Sequence, residues 1–112
     1  MRKLYDFPAA ISGDTFNGVQ FTVTVDAEPL DLTGASIEMK IGKTGINVEP
    51  LFTTANGSLV ITDPTHGVFT FKEQIISLSA AVYNYDITIT LLSGEVRSYI
   101  YGSWCIQSGV SF

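Results

Sequence analysis

The chain has 112 residues, 46% of them hydrophobic, with 11 acidic against 6 basic side chains and a net charge of −5. A chain of this length buries roughly 65% of its unfolded surface, enough for one core without covalent staples. Charged residues make up only 15% of it, against a usual ~25%, so part of the surface is expected to be covered by partners. The only adjacent basic pair is Arg2-Lys3, which argues against nucleic acid as a main partner, because phosphate neutralisation needs clustered positive charge. One cysteine, Cys105, cannot form an internal bridge, which fits a reduced cytosol or a particle assembled in one. Asp6 and Pro8 interrupt the basic start, and no apolar run reaches the ~20 residues of a membrane helix. The expectation is a soluble protein with no membrane partner and no recognised export signal.

In chain order, Lys3 to Phe7 reads as a short edge strand stopped by Pro8, and Ser12 to Thr15 as a turn or bulge. From Val19 to Val25 apolar and polar residues alternate, and Ala27-Glu28-Pro29-Leu30 ends that run in a hairpin-like turn. A strand is expected from Ala35 to Ile41, with Ile37, Met39 and Ile41 inward and Glu38 and Lys40 outward. Ile46 to Phe52 makes a weaker strand that Pro50 confines to an edge or irregular position. Asn56-Gly57 is a turn between extended runs, and a strand follows from Ser58 to Thr62. Asp63-Pro64-Thr65-His66-Gly67 reads as a turn, followed by a strand from Val68 to Lys72. Glu73 to Ala80 lacks alternation and is the one place for a helical turn.

The clearest signal is residues 81–92, where Tyr83, Tyr85, Ile87, Ile89 and Leu91 fall on one face and Asn84, Asp86, Thr88 and Thr90 on the other. Ser93-Gly94 turns the chain into a second strand from Glu95 to about Tyr101, where Gly102 breaks the pattern. Trp104, Ile106 and Val110 are then expected in a last short strand covering an edge. Ala81 to Tyr85 has the spacing of a tyrosine corner, in which a phenol bonds back to upstream backbone. Tyr83 is either that corner or an ordinary core tyrosine, and Tyr85 holds the place of the disulfide cysteine of antibody domains. Seven to nine short strands at spacings of roughly ten residues predict a single antiparallel β-sandwich over residues 1–112. Within it, residues 1–12 are an arm or edge strand, 13–101 the sandwich core and 102–112 a covering segment.

Signals for chemistry are sparse. His66, the only histidine, lies in a turn with no nucleophile motif to serve, and one Cys with one His cannot supply a zinc site. Cys105, between Trp104 and Ile106, reads as a small buried hydrophobe. Asp14, Asp26, Asp31, Asp63 and Asp86 are spread singly, with Asp14 and Asp31 suited to local backbone bonds in turns. No catalytic residue, metal or cofactor is expected. The aromatics are the stronger lead: if Val96, Ser98 and Ile100 point inward, Arg97, Tyr99 and Tyr101 face outward beside Trp104. Such a stripe would fill a neighbouring subunit's groove or stack on sugars, whereas the reversed phase would bury it.

Gly13-Asp14-Thr15-Phe16, Asp31-Leu32-Thr33-Gly34-Ala35-Ser36-Ile37, Ile61-Thr62-Asp63 with Gly67-Val68-Phe69, and Tyr83-Asn84-Tyr85-Asp86-Ile87 leading to Ser93-Gly94-Glu95 occur in that order. Together these segments resemble the immunoglobulin-like N-terminal domain of phage baseplate upper proteins. The resemblance implies an immunoglobulin-like sandwich with a non-enzymatic structural role in the virion. It also implies other virion proteins as partners, in a baseplate, tail, collar or head-fibre assembly, with a homo-oligomer expected. The rival expectation is a carbohydrate-binding or adhesin module using Tyr99, Tyr101 and Trp104.

Overall fold

In a computed structural model of the chain, residues 3–42, 49–76 and 78–108 are described. The N-terminal strands are β1 (Lys3–Leu4), β2 (Phe7–Ile11), β3 (Thr15–Phe16), β4 (Val19–Thr22), β5 (Thr24–Val25) and β6 (Glu28–Pro29). They are followed by β7 (Ser36–Gly42), β8 (Glu49–Thr53), β9 (Leu59–Asp63), a 3₁₀ turn at Pro64–His66 and β10 (Val68–Phe71). The chain continues with β11 (Gln74–Ile75), β12 (Ala81–Thr90) and β13 (Val96–Gln107).

The long alternation becomes β12, which pairs antiparallel with β13 on one side and with β7 on the other. Tyr83, Tyr85, Ile87 and Ile89 are all buried, as the period of two requires. β8 adds beyond β7, and both β1 and β2 run parallel to β13 at the opposite edge. The second sheet has the order β4-β10-β9. Two short pairs, β3 with β11 and β5 with β6, flank these sheets. The fold is an all-β sandwich of mixed and antiparallel sheets.

Aromatic rings fill the space between the layers. Phe71 of the second sheet meets Phe52 at 4.8 Å, Phe7 at 5.5 Å and Trp104 at 5.7 Å, all edge-on. Phe21 stacks on Phe69 at 5.1 Å. Edge-to-face pairs of this kind add to the energy of area burial, because ring edges and faces carry opposite partial charge. Trp104 is wholly buried among these rings, and its indole N–H donates to the Pro8 carbonyl oxygen at 3.0 Å.

The sequence-based expectations differ from the fold at several places. Pro8 does not stop the first strand but lies within β2, where an edge position leaves its missing N–H without cost to a ladder. Residues 74 and 75 form β11 against β3 rather than a helical turn, with the backbones of Asp14 and Ile76 also bonded at 3.0 Å. Gly102 does not end a strand, since β13 runs through it to Gln107 and carries Trp104 and Ile106 inward. Cys105 points the other way, opposite exposed Val82 on the outer face, and is only partly buried. Val110, expected in the last strand, and Ile46 to Val48 of the weaker one lie outside the described residues.

Local chemistry sets the turns. Asn56 Oδ1 accepts from the backbone N–H groups of Thr53 at 3.2 Å and Ser58 at 3.0 Å, closing the β8–β9 connection. Asp31 Oδ1 accepts from the Thr33 backbone N–H at 2.9 Å and from its hydroxyl at 2.6 Å, which holds the Asp31 carboxyl below its ordinary pKa. Gly67 has a φ of 71°, and a Cβ there would lie 2.5 Å from the Val23 carbonyl oxygen. Only glycine permits both that backbone and that approach. The Gly67 carbonyl in turn accepts from Val23 N–H at 2.8 Å, tying the 63–67 turn to the start of β5.

Tyr83 behaves as a tyrosine corner. Its hydroxyl donates to the Ser79 carbonyl oxygen at 2.7 Å, four residues upstream, while its ring is buried under the sheet.

Candidate functional site

The register of three strands sets one row of side chains across the outer face of the larger sheet. Lys40 on β7 pairs with Asp86 on β12, and Asp86 pairs with Tyr101 on β13. The next row brings Asn84 opposite Ser103. Alternation turns these residues away from the core, because their neighbours Ile41, Tyr85, Ile87 and Trp104 point into it.

The segment between β1 and β2 completes the site. A Cβ on Gly102 would lie 2.1 Å from the Tyr5 carbonyl oxygen, so the missing side chain is what lets this backbone rest on β13. Tyr5 N–H donates to the Tyr101 carbonyl at 2.9 Å, and the Tyr85 hydroxyl donates to the Tyr5 carbonyl. Burial pushes the Tyr85 phenol well above its ordinary pKa, with Tyr5 and Asp6 adding to the shift, so the group stays protonated as a donor. Asp6 is thereby brought over Ser103, where its Oδ1 accepts from the Ser103 backbone N–H at 3.0 Å and from its hydroxyl at 3.2 Å.

Asp6, Lys40, Asn84, Asp86, Tyr101 and Ser103 border an open cavity of about 640 Å³. The Ser98 hydroxyl donates to Asp86 Oδ1 and holds that carboxylate from below the row. Among the described residues, two carboxylates and one ammonium border the cavity with an amide, a hydroxyl and a phenol, and Leu4 and Tyr85 also line it. Lys40, Asn84, Asp86 and Tyr101 were assignable to an outer face from alternation, whereas Asp6 and Ser103 were not, and the convergence of all six depends on strand register and on the path of Tyr5-Asp6 over Gly102.

The aromatic stripe expected from the sequence is not assembled. A bulge sets Ile87 opposite Ile100 but Thr88 opposite Ser98, leaving Tyr99 as the additional residue. Tyr99 and Ile100 therefore both turn inward, with Tyr99 8% exposed, while Val96 is 59% exposed. Trp104 is 0% exposed. Arg97 is exposed at the hairpin end, where its guanidinium pairs with Glu95 and is held more firmly in its charged form. Of the four residues, Tyr101 alone reaches this cavity. Tyr99 borders a separate cleft of about 230 Å³ where β1 passes β4.

His66 Nδ1 lies 2.9 Å from Asp63 Oδ2 on the exposed 3₁₀ turn, and this contact holds the Asp63 carboxyl below its ordinary pKa. Among the described residues no three His, Cys, Asp or Glu side chains gather as a metal site, and no helix is long and apolar enough to cross a membrane. No protein-family model matches the chain, and no curated protein matches it significantly.

Proposed function

We propose that this chain is an immunoglobulin-like assembly module of a phage particle, a non-enzymatic adaptor that binds other virion proteins and copies of itself. The observation that carries the reading is the state of its edge strands. Leu4 on β1 is 58% exposed, Ile11 on β2 40% and Val60 on β9 37%, all on strands at the margin of a sheet. Such margins offer backbone donors and acceptors together with apolar side chains, which is what strand addition by a neighbouring protein requires.

The strand order supports the immunoglobulin-like part of the proposal. One layer runs β8-β7-β12-β13 with the N-terminal strands parallel to β13, and the other runs β4-β10-β9. That order is like the one of a variable-type sandwich, and a corner tyrosine near the start of β12 with Tyr85 two residues on supports the same reading. The ordered sequence segments that resemble baseplate upper proteins add the virion context.

Light scattering coupled to size exclusion, together with mass spectrometry of purified particles, tests the proposal. A defined oligomer and recovery of the chain from particles are expected. A monomer at every concentration that is also missing from particles would overturn it.

A further inference from the structure

We propose that the cavity on the outer face of the larger sheet binds a neutral saccharide. This inference does not depend on the assembly role. It rests on six of the side chains that β7, β12, β13 and the Tyr5-Asp6 segment bring around one cavity of about 640 Å³, which Leu4 and Tyr85 also line. That volume lies within the roughly 300–1,000 Å³ of small-molecule clefts.

The chemistry of the lining selects the ligand class. Asp6 and Asp86 accept hydrogen bonds, Lys40 donates them, and Asn84 and Ser103 do both. A sugar hydroxyl also donates and accepts, so adjacent hydroxyls match such a mixed set. Tyr101 is among the lining residues, and an aromatic ring there suits the C–H face of a pyranose. Among the described lining residues an anion would meet the Asp6 and Asp86 carboxylates beside the Lys40 ammonium, which disfavours phosphate or sulfate. A purely apolar ligand would strip water from carboxylates and an ammonium without replacing their hydrogen bonds.

The site is also held in shape before any ligand arrives. Asp86 is fixed by the Ser98 hydroxyl, and Asp6 by both the backbone and the hydroxyl of Ser103. Fixed carboxylates lose little freedom on binding, which favours recognition of a small polar molecule.

A printed array of neutral and acidic oligosaccharides, followed by ¹H–¹⁵N spectra of the full chain titrated with the neutral sugar that binds, tests the proposal. Shift changes at the amides of Lys40, Asn84, Asp86, Tyr101 and Ser103 are expected. Tyr101→Ala and Asp86→Ala should each weaken binding roughly tenfold, while Tyr101→Phe, which keeps the ring, should bind nearly as the parent does. Each variant's own spectrum shows whether its fold is intact, and Asp86→Asn serves in place of Asp86→Ala if the latter unfolds. No binding to any neutral sugar, shifts confined to other surfaces, or preference for acidic glycans would overturn the proposal.

Discussion

The hydroxyl of Tyr83 donates to the backbone carbonyl of Ser79 at 2.7 Å, which fastens the start of β12 to the connection that delivers it. The ring is buried beneath the sheet while Ser79 is exposed, so the bond joins a core side chain to a surface turn. Tyr83→Phe removes the bond and keeps the ring. It should cost about 1 kcal/mol, the usual net value of one such bond, measured as a lower urea midpoint with an unchanged slope. An unchanged midpoint would mean that water replaces the bond at no cost.

Trp104 is expected to be the most damaging single truncation in the core. Its indole is wholly buried and touches Phe7 at 4.9 Å and Phe16 at 5.2 Å, and its N–H is used by Pro8. Trp104→Ala should cost about 3–5 kcal/mol, and Trp104→Phe less because most of the volume remains. As the chain has one tryptophan, fluorescence of the parent should move to longer wavelength on unfolding and report the transition directly. A Trp104→Ala chain within about 1 kcal/mol of the parent would contradict the packing described.

How much of this was legible in the sequence follows from what each feature depends on. The inward faces of β7 and β12 depend only on a period of two, and Ile37, Met39, Tyr83 and Ile87 are buried as alternation demands. The Tyr83 corner was legible as one of two readings, because its spacing is local. Tyr99 was not, because a bulge shifts the phase of β13 by one residue and leaves no mark in the residue pattern. Gln74–Ile75 joined Thr15–Phe16 across nearly sixty positions of chain, a pairing that no local window contains. The cavity needed both kinds of non-local information: the register of Lys40, Asp86 and Tyr101, and the passage of Tyr5-Asp6 over Gly102.

Gly102 should tolerate no side chain. A Cβ would sit 2.1 Å from the Tyr5 carbonyl oxygen and 3.0 Å from Asp6 Oδ1, and the first of these neighbours is backbone. Gly102→Ala must therefore push the N-terminal segment off β13, breaking the Tyr5–Tyr101 bond and withdrawing the acceptor of the Tyr85 hydroxyl. A loss of about 2 kcal/mol or more is expected. Hydrogen exchange locates it: the Tyr5 amide should lose its protection while amides in the β12–β7 ladder keep theirs.

Alkaline pH should destabilise the fold through Tyr85. Its phenol ionises less readily in the folded chain than at its ordinary value near ~10, because burial disfavours the phenolate. Between those two values the unfolded chain binds fewer protons than the folded one, so stability falls as pH rises past about 10 and is fully present below it. Tyr85→Phe should flatten that fall, while costing about 1 kcal/mol at neutral pH because the Tyr5 carbonyl loses its donor. Urea midpoints of both chains from pH 8 to 11 measure the difference, and parallel curves would rule out Tyr85 as the group responsible.

One substitution should stabilise the protein. Asp26 and Ala27 form the tip of the β5–β6 hairpin with φ of 52° and 66°, the left-handed backbone of a type I′ turn. Asp tolerates that region through its short polar side chain, whereas alanine has nothing to offset the clash of Cβ with its own carbonyl. Ala27 is exposed, so its methyl group contributes no core contact. Ala27→Gly gives the Asp-Gly pair that such turns favour. It removes a strain of about 1–2 kcal/mol, against about 0.5–1 kcal/mol of added freedom in the unfolded chain. A net gain of about 0.5–1 kcal/mol is expected, read as a rise in melting temperature of a few degrees. A drop instead would mean that the turn has a different backbone in solution, because at negative φ the same change can only add entropy to the unfolded state.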